Sequence, residues 1–161
     1  MIQRIQSVFL LIMALVMITL LFMPIWVKGD MDTQEMVILN AFEISHEDQS
    51  GVITKVLATK STVYIAILAI LSAAVSIFSI SQYRNRLNQM KLGALNSLLV
   101  GGIVVASYIA ITKGMKMMDP SMYGEYKIGF FLPVVALIFN SLSNRFIRRD
   151  EKLVQDSNRM R

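Results

Sequence analysis

The chain carries one histidine and no cysteine, so any chemistry it performs rests on carboxylates, hydroxyls, amides and thioethers. Disulfides, thiolate zinc sites, iron–sulfur clusters and cysteine nucleophiles are thereby excluded. The histidine falls in His46-Glu47-Asp48, three metal-friendly side chains in a row. Adjacent residues in a polar turn do not converge on one point, and no second histidine exists to complete a site. The segment therefore reads as a solvated turn. A second group is Met115, Met117, Met118 and Met122 with Tyr123 and Tyr126. Thioethers are soft donors, which makes outer-facing Cu(I) binding a secondary reading. Methionine also fills irregular apolar gaps, and the 12 methionines are scattered through the whole chain, which favours packing. No spacing brings two ionisable groups together as acid–base or nucleophilic catalysis requires. The expectation is a non-enzymatic protein with no catalytic residue, no metal ligand and no cofactor.

These groups must be positioned by a very apolar chain: 55% of its 161 residues are hydrophobic, and its 27 charged residues avoid four windows. The windows are 5–27, 61–83, 92–112 and 128–144, together 84 residues. A soluble amphipathic helix would show a charged or polar outer face every turn, so charge-free windows of this length point to lipid as the solvent. The expected fold is an all-α membrane protein. It is a single domain of four transmembrane helices, at about 6–26, 62–83, 92–111 and 128–147, with a small β-hairpin in the first outer loop, 28–60, and a cytoplasmic tail, 148–161. The first window is long and ends in large side chains, Phe22-Met-Pro-Ile-Trp-Val27, which suits a retained helix better than a cleaved signal. Trp26 is expected at the headgroup layer. Pro133, near the start of the fourth span, predicts a mild kink there.

Positive charge accumulates on the cytoplasmic side of a membrane. Ten Lys and Arg residues fall in the segments that share a side with both termini, against six in the first and third loops. Both termini are therefore placed inside, and the net charge of +5 becomes a basic inner face toward lipid headgroups rather than a nucleic-acid patch.

Small residues at spacing four let helix backbones approach closely. Gly93, Ser97 and Gly101 form such a row on span three, and Ser72 and Ser76 another on span two, which predicts that spans two and three pack together. Asn96 and Asn140 are the polar exceptions, with interhelical hydrogen bonds as their expected role. In the first loop, 35–44 and 52–57 have strand composition, joined by the polar turn 45–51. Two strands alone are marginal in water, so the hairpin should lie on the third loop or the helix ends, leaving an edge open to strand addition. The layout resembles the four-helix architecture of claudin-like proteins, without their cysteine pair. The tail reads as a helical extension of span four, with Arg145, Arg148, Arg149 and Lys152 as contacts for lipid or a partner.

Met1-Ile-Gln-Arg-Ile-Gln6 and the tail Asn144-Arg-Phe-Ile-Arg-Arg-Asp-Glu-Lys-Leu-Val-Gln-Asp-Ser-Asn-Arg-Met-Arg161 resemble a family of short four-helix membrane proteins from Bacteroidota, catalogued as a domain of unknown function. The resemblance implies a bacterial inner-membrane location and supplies no activity or site. The resulting expectation is a scaffold or accessory subunit of a membrane complex, or a homo-oligomer, surrounded by membrane lipids and needing no nucleic acid. The competing class is a small transporter or lipid-handling protein.

Overall fold

The computed structural model describes residues 2–30, 34–49, 51, 54–82, 85–118 and 124–159. Within them the chain runs α1 (Ile2–Leu20), β1 (Trp26–Gly29), β2 (Glu35–Leu39), β3 (Glu43–Asp48), β4 (Lys55–Ser61), α2 (Val63–Ser81), α3 (Arg86–Met115), β5 (Glu125–Tyr126) and α4 (Ile128–Arg159). The four helices form a closed ring in which each packs on its sequence neighbour and α1 packs on α4. Three of them, α2, α3 and α4 over Ile128–Arg149, are long and apolar enough to cross a membrane, while α1 contributes the shorter apolar stretch Ile5–Leu20.

The side chains of the ring are distributed in an unusual way. In α2 the buried positions after Ile65 are small, Ala66, Ala69, Ser72, Ala73, Ser76 and Ser79, while Ile67, Ile70, Leu71, Ile77 and Phe78 face outward. In α3 the buried set mixes Gly93, Asn96 and Ser107 with Val100, Ile103 and Ile111, while Leu98, 75% exposed, Val105 and Tyr108 face outward. Pro133 lies inside α4 without ending it. Asn85 starts α3, its side chain accepting from the Asn88 backbone N–H at 3.2 Å, as an N-cap residue does.

The first loop corrects the hairpin expectation. It contributes four strands, and the third loop adds a fifth, giving one antiparallel sheet in the order β4-β3-β2-β1-β5. The stretch expected as one strand over 35–44 breaks at Asn40, whose N–H donates to the Glu43 carbonyl at 2.9 Å to close a tight turn. Residues 45–48, expected as part of a turn, are strand instead, because β2 and β4 supply pairing on both sides of β3. The register of β3 with β4 shifts between His46 and Glu47, a β-bulge. Positions 52 and 53 of the expected second strand lie outside the described residues.

The first span also ends earlier than its hydropathy indicates. Helix α1 stops at Leu20, and after Pro24, which has no N–H to give, the chain becomes extended. The Ile25 N–H donates to the Leu39 carbonyl at 2.8 Å, and Trp26 pairs with Leu39 on one side and Tyr126 on the other. Trp26 is consequently 0% exposed, the opposite of a headgroup anchor. Its indole lies over Gly114 and Gly124, and a methyl group at Gly124 would overlap the ring. The start of α4 is fastened to the same segment, the Gly129 N–H donating to the Pro24 carbonyl at 3.0 Å. A side chain at Gly129 would collide with that carbonyl, so the close approach requires glycine.

Candidate functional site

Inside the ring the polar residues find one another. Asn96 of α3 accepts at Oδ1 from the Ser72 hydroxyl at 2.6 Å and donates from Nδ2 to Ser76 Oγ at 2.7 Å and to the Met13 sulfur at 3.4 Å. Three helices therefore meet at one amide. The Ser76 hydroxyl in turn donates to the Ser72 carbonyl at 3.0 Å, and Gln89 donates to the Ser79 carbonyl at 2.9 Å. On the other face of α3, Asn140 of α4 donates to the Gly93 carbonyl and to Ser97 Oγ, both at 2.8 Å. In lipid, polar side chains between helices are each worth about 0.6–2 kcal/mol, because hydrocarbon offers them no alternative partner.

The small-residue rows are thus placed differently from expectation. Ser72 and Ser76 do face α3, through Asn96. Gly93 and Ser97 face α4, where a methyl group at Gly93 would overlap the Asn144 amide. Gly101 meets nothing: a side-chain carbon built there has open space around it. Contact between α2 and α3 is carried by the neighbouring face, where Gly102 approaches Leu68. Spacing of small residues reveals a close approach but not which neighbour makes it, because α3 lies between α2 and α4.

At the sheet end, alternation along β1 turns Trp26 and Lys28 to the same side, toward the helices. Lys28 is 1% exposed, and its Nζ donates to the Met115 carbonyl at 3.4 Å, at the last residue of α3. A cation there meets the negative end of the helix dipole and the carbonyls that lack intrahelical partners. Nothing in the sequence distinguishes Lys28 from the solvated lysines of the same loop. His46 is half-buried in β3 and hydrogen-bonds Glu35 across the β2–β3 ladder at 3.0 Å, so it is held in a strand rather than a solvated turn. Among the described residues no group of three or more His, Cys, Asp or Glu is arranged to hold a metal ion. Met117 and Met118 pack against the hydrophobic core and Met115 is exposed; Met122 and Tyr123 lie outside the described residues. Glu125, exposed on β5, receives the Lys127 ammonium at 2.6 Å, and that hydrogen bond, with the charge behind it, holds its carboxyl below the ordinary carboxylate range.

Among the described residues, two clefts at the surface are lined by polar and charged groups. A wider one of about 630 Å³ opens at the sheet, between Gly29, Asp30, Gln34, Glu35, Glu125 and Lys127. A smaller one of about 290 Å³ lies between α3 and α4, lined by Ser97, Ser141, Asn144, Arg145 and Arg148. Two of the four basic residues expected as contacts, Arg145 and Arg148, line this cleft, whereas Arg149 and Lys152 are exposed on α4 without lining it. Ser141 and Asn144 are missing from the expected set, although residues 141, 144, 145 and 148 have the spacing of a single helix face. A family model described as a domain of unknown function, DUF4293, matches residues 2–160. No curated protein matches the chain.

Proposed function

The chain belongs to that family, and from this premise we propose that it is a four-span bacterial inner-membrane protein with both termini cytoplasmic, acting as a non-enzymatic scaffold or accessory subunit of a membrane complex. The observation that carries the reading is the apolar outer face of the ring, where Ile67, Ile70, Leu71, Phe78, Leu98, Val105 and Ile138 are exposed, around an interior that holds the hydrogen-bonded Asn96 and Asn140 among apolar side chains such as Met13 and Ile103. In water such a surface would drive aggregation; in hydrocarbon it is the low-energy arrangement. With α2, α3 and α4 as spans, the apolar stretch of α1 completes a fourth, its flanks shared with the sheet. The excess of Lys and Arg at the end opposite the sheet supports an inside placement for the termini, and the resemblance of the two chain ends supports the bacterial setting.

With Asn96, Ser72 and the Asn140 Nδ2 engaged in interhelical bonds, the surfaces that we assign to partners are the two ends. Strand β4 is exposed along its whole length at the sheet edge, and α4 continues as a charged helix past the apolar window. Lys55 and Lys60 on β4 are the kind of residue that keeps an edge from indiscriminate pairing, so a partner there must be selective. Purification in mild detergent with quantitative mass spectrometry tests the reading. A stoichiometric partner, or a second copy of the chain in cross-linking, is the expected result, lost on deletion of residues 152–161 while membrane insertion persists. Recovery of a monomer with lipid alone overturns the subunit reading.

A further inference from the structure

The cleft between α3 and α4 has a composition that selects its occupant. Of the lining residues, Ser141, Asn144, Arg145 and Arg148 offer hydrogen-bond donors, the Ser97 hydroxyl already donates to the Gly93 carbonyl at 3.2 Å, and none of the five is a carboxylate. No described residue forms an ion pair with Arg145 or Arg148; the ion pair near this end joins Arg86 to Glu151 at 3.9 Å. At about 1.5 Å per residue, Arg145 and Arg148 stand roughly 26 and 30 Å along α4 from Ile128, where a hydrocarbon core of about 30 Å gives way to headgroups. The cleft does not stop at its polar mouth. On α4 the same face continues toward the sheet through exposed Ile138 and Val134, and on α3 it continues one turn from Ser97 to Gly101, beside which there is open space.

We propose that this cleft is a binding site for an anionic phospholipid, its phosphate held by Arg145 and Arg148 with the Ser141 hydroxyl and the Asn144 amide beside them, and an acyl chain lying along Gly101 and Ile138. The inference rests on the membrane reading above and adds a defined site to it. Phosphate suits the site because guanidinium groups bond its oxygens in a planar, paired geometry that a single ammonium cannot reproduce. A groove with a basic polar mouth and an apolar floor matches a phosphate joined to an acyl chain, whereas free phosphate would use the mouth alone.

The test reconstitutes the full chain in nanodiscs of phosphatidylcholine with phosphatidylglycerol and measures retained lipid by native mass spectrometry, with inorganic phosphate as a soluble competitor. Arg145→Gln with Arg148→Gln is expected to lower phosphatidylglycerol retention about 25-fold, at about fivefold per basic group. Arg149→Gln with Lys152→Gln removes the same charge outside the cleft and is expected to lower phosphatidylglycerol retention clearly less than the cleft pair does. Equal losses in the two pairs overturn the proposal in favour of diffuse surface charge. Gly101→Leu fills the apolar floor without altering charge and is expected to lower lipid retention. If Gly101→Leu retains lipid as the unmodified chain does, while inorganic phosphate displaces the retained lipid fully, free phosphate is the occupant and the lipid assignment falls. Variants that insert normally but bind alike sink the cleft site and leave the membrane reading standing. Failure of the unmodified chain to insert removes both.

Discussion

The helix ring and the sheet differ in which side chains they bury and which they leave exposed. Around the sheet the core is made of large apolar groups, Trp26, Val37, Leu39 and Ile44, each at most 1% exposed, as water would dictate. Along α2 and α3 small and polar groups share the interior with Ile65, Val100, Ile103 and Ile111, and many large apolar residues point out. On the proposed membrane reading one chain meets two solvents, and the change between them falls near the end of α1. There a helix with Leu15 and Ile18 exposed gives way within a few residues to a strand whose tryptophan is fully enclosed. Burial therefore has to be read against the solvent of each region.

The largest expected effect tests the water-like half. Trp26→Ala empties the space over Gly114 and Gly124 and should cost about 3–5 kcal/mol of stability, measured by thermal unfolding in detergent. A loss below about 0.5 kcal/mol, the size of an ordinary surface change, would mean that the sheet end is not an independent core.

The lipid-like half is tested by Leu71→Asp on the outer face of α2, about half exposed near the middle of its charge-free window. On a water-facing helix the change is worth about 0.5 kcal/mol at most, whereas in hydrocarbon it costs about 2.5–3.5 kcal/mol of insertion. The carbonate-resistant membrane fraction distinguishes the two, and an unchanged fraction would contradict lipid exposure of that face.

The polar interior gives a smaller signal. Asn96→Leu removes three hydrogen bonds that tie α1, α2 and α3 together, for an expected loss of about 1–2 kcal/mol. Gain of stability instead would show that a leucine packs there better than the amide bonds. Gly101→Ala should move the opposite way, by about 0.5–1 kcal/mol of stabilisation, since the alanine meets open space and favours the helix.

The weakest effect is that of pH on the ion pair beside β5. The Glu125 carboxyl is held below its ordinary range by Lys127, so its contribution is fully present above the ordinary carboxylate pKa and is lost as pH falls through the lowered value. Exposure to solvent keeps the effect small. A titration of Glu125 by NMR in the intact chain and in Lys127→Met should show the carboxyl returning to its ordinary range in the variant.

Much of this arrangement was legible in the sequence, and the exceptions have physical causes. Charge-free windows located the four helices because a charged side chain is costly in hydrocarbon, a rule that needs no tertiary knowledge. The same rule hid β1, since Trp26 and Val27 continue the apolar run of α1, and only their pairing with Leu39 and Ile38 shows that the chain has changed conformation. Strand β5 has two residues, too few for any periodicity, and exists because Tyr126 lies across from Trp26. Asn96 was readable as an interhelical donor, but its partners were not, because helix spacing leaves the choice of neighbour to the fold. Arg145 and Arg148 stood out by charge; Ser141 and Asn144 did so only by sharing their face.

The strand order has a consequence for the time course of folding. Trp26 pairs with Leu39, 13 residues ahead, and with Tyr126, 100 residues ahead. The first pairing closes a short loop and the second a very long one, which local contacts must precede. During synthesis β1 to β4 are therefore complete while three helices are still to be made, and one face of the indole waits uncovered until Gly124 reaches it. The last strand to form joins the two ends of the chain's path, so closing the sheet is also the step that commits α4 to its place.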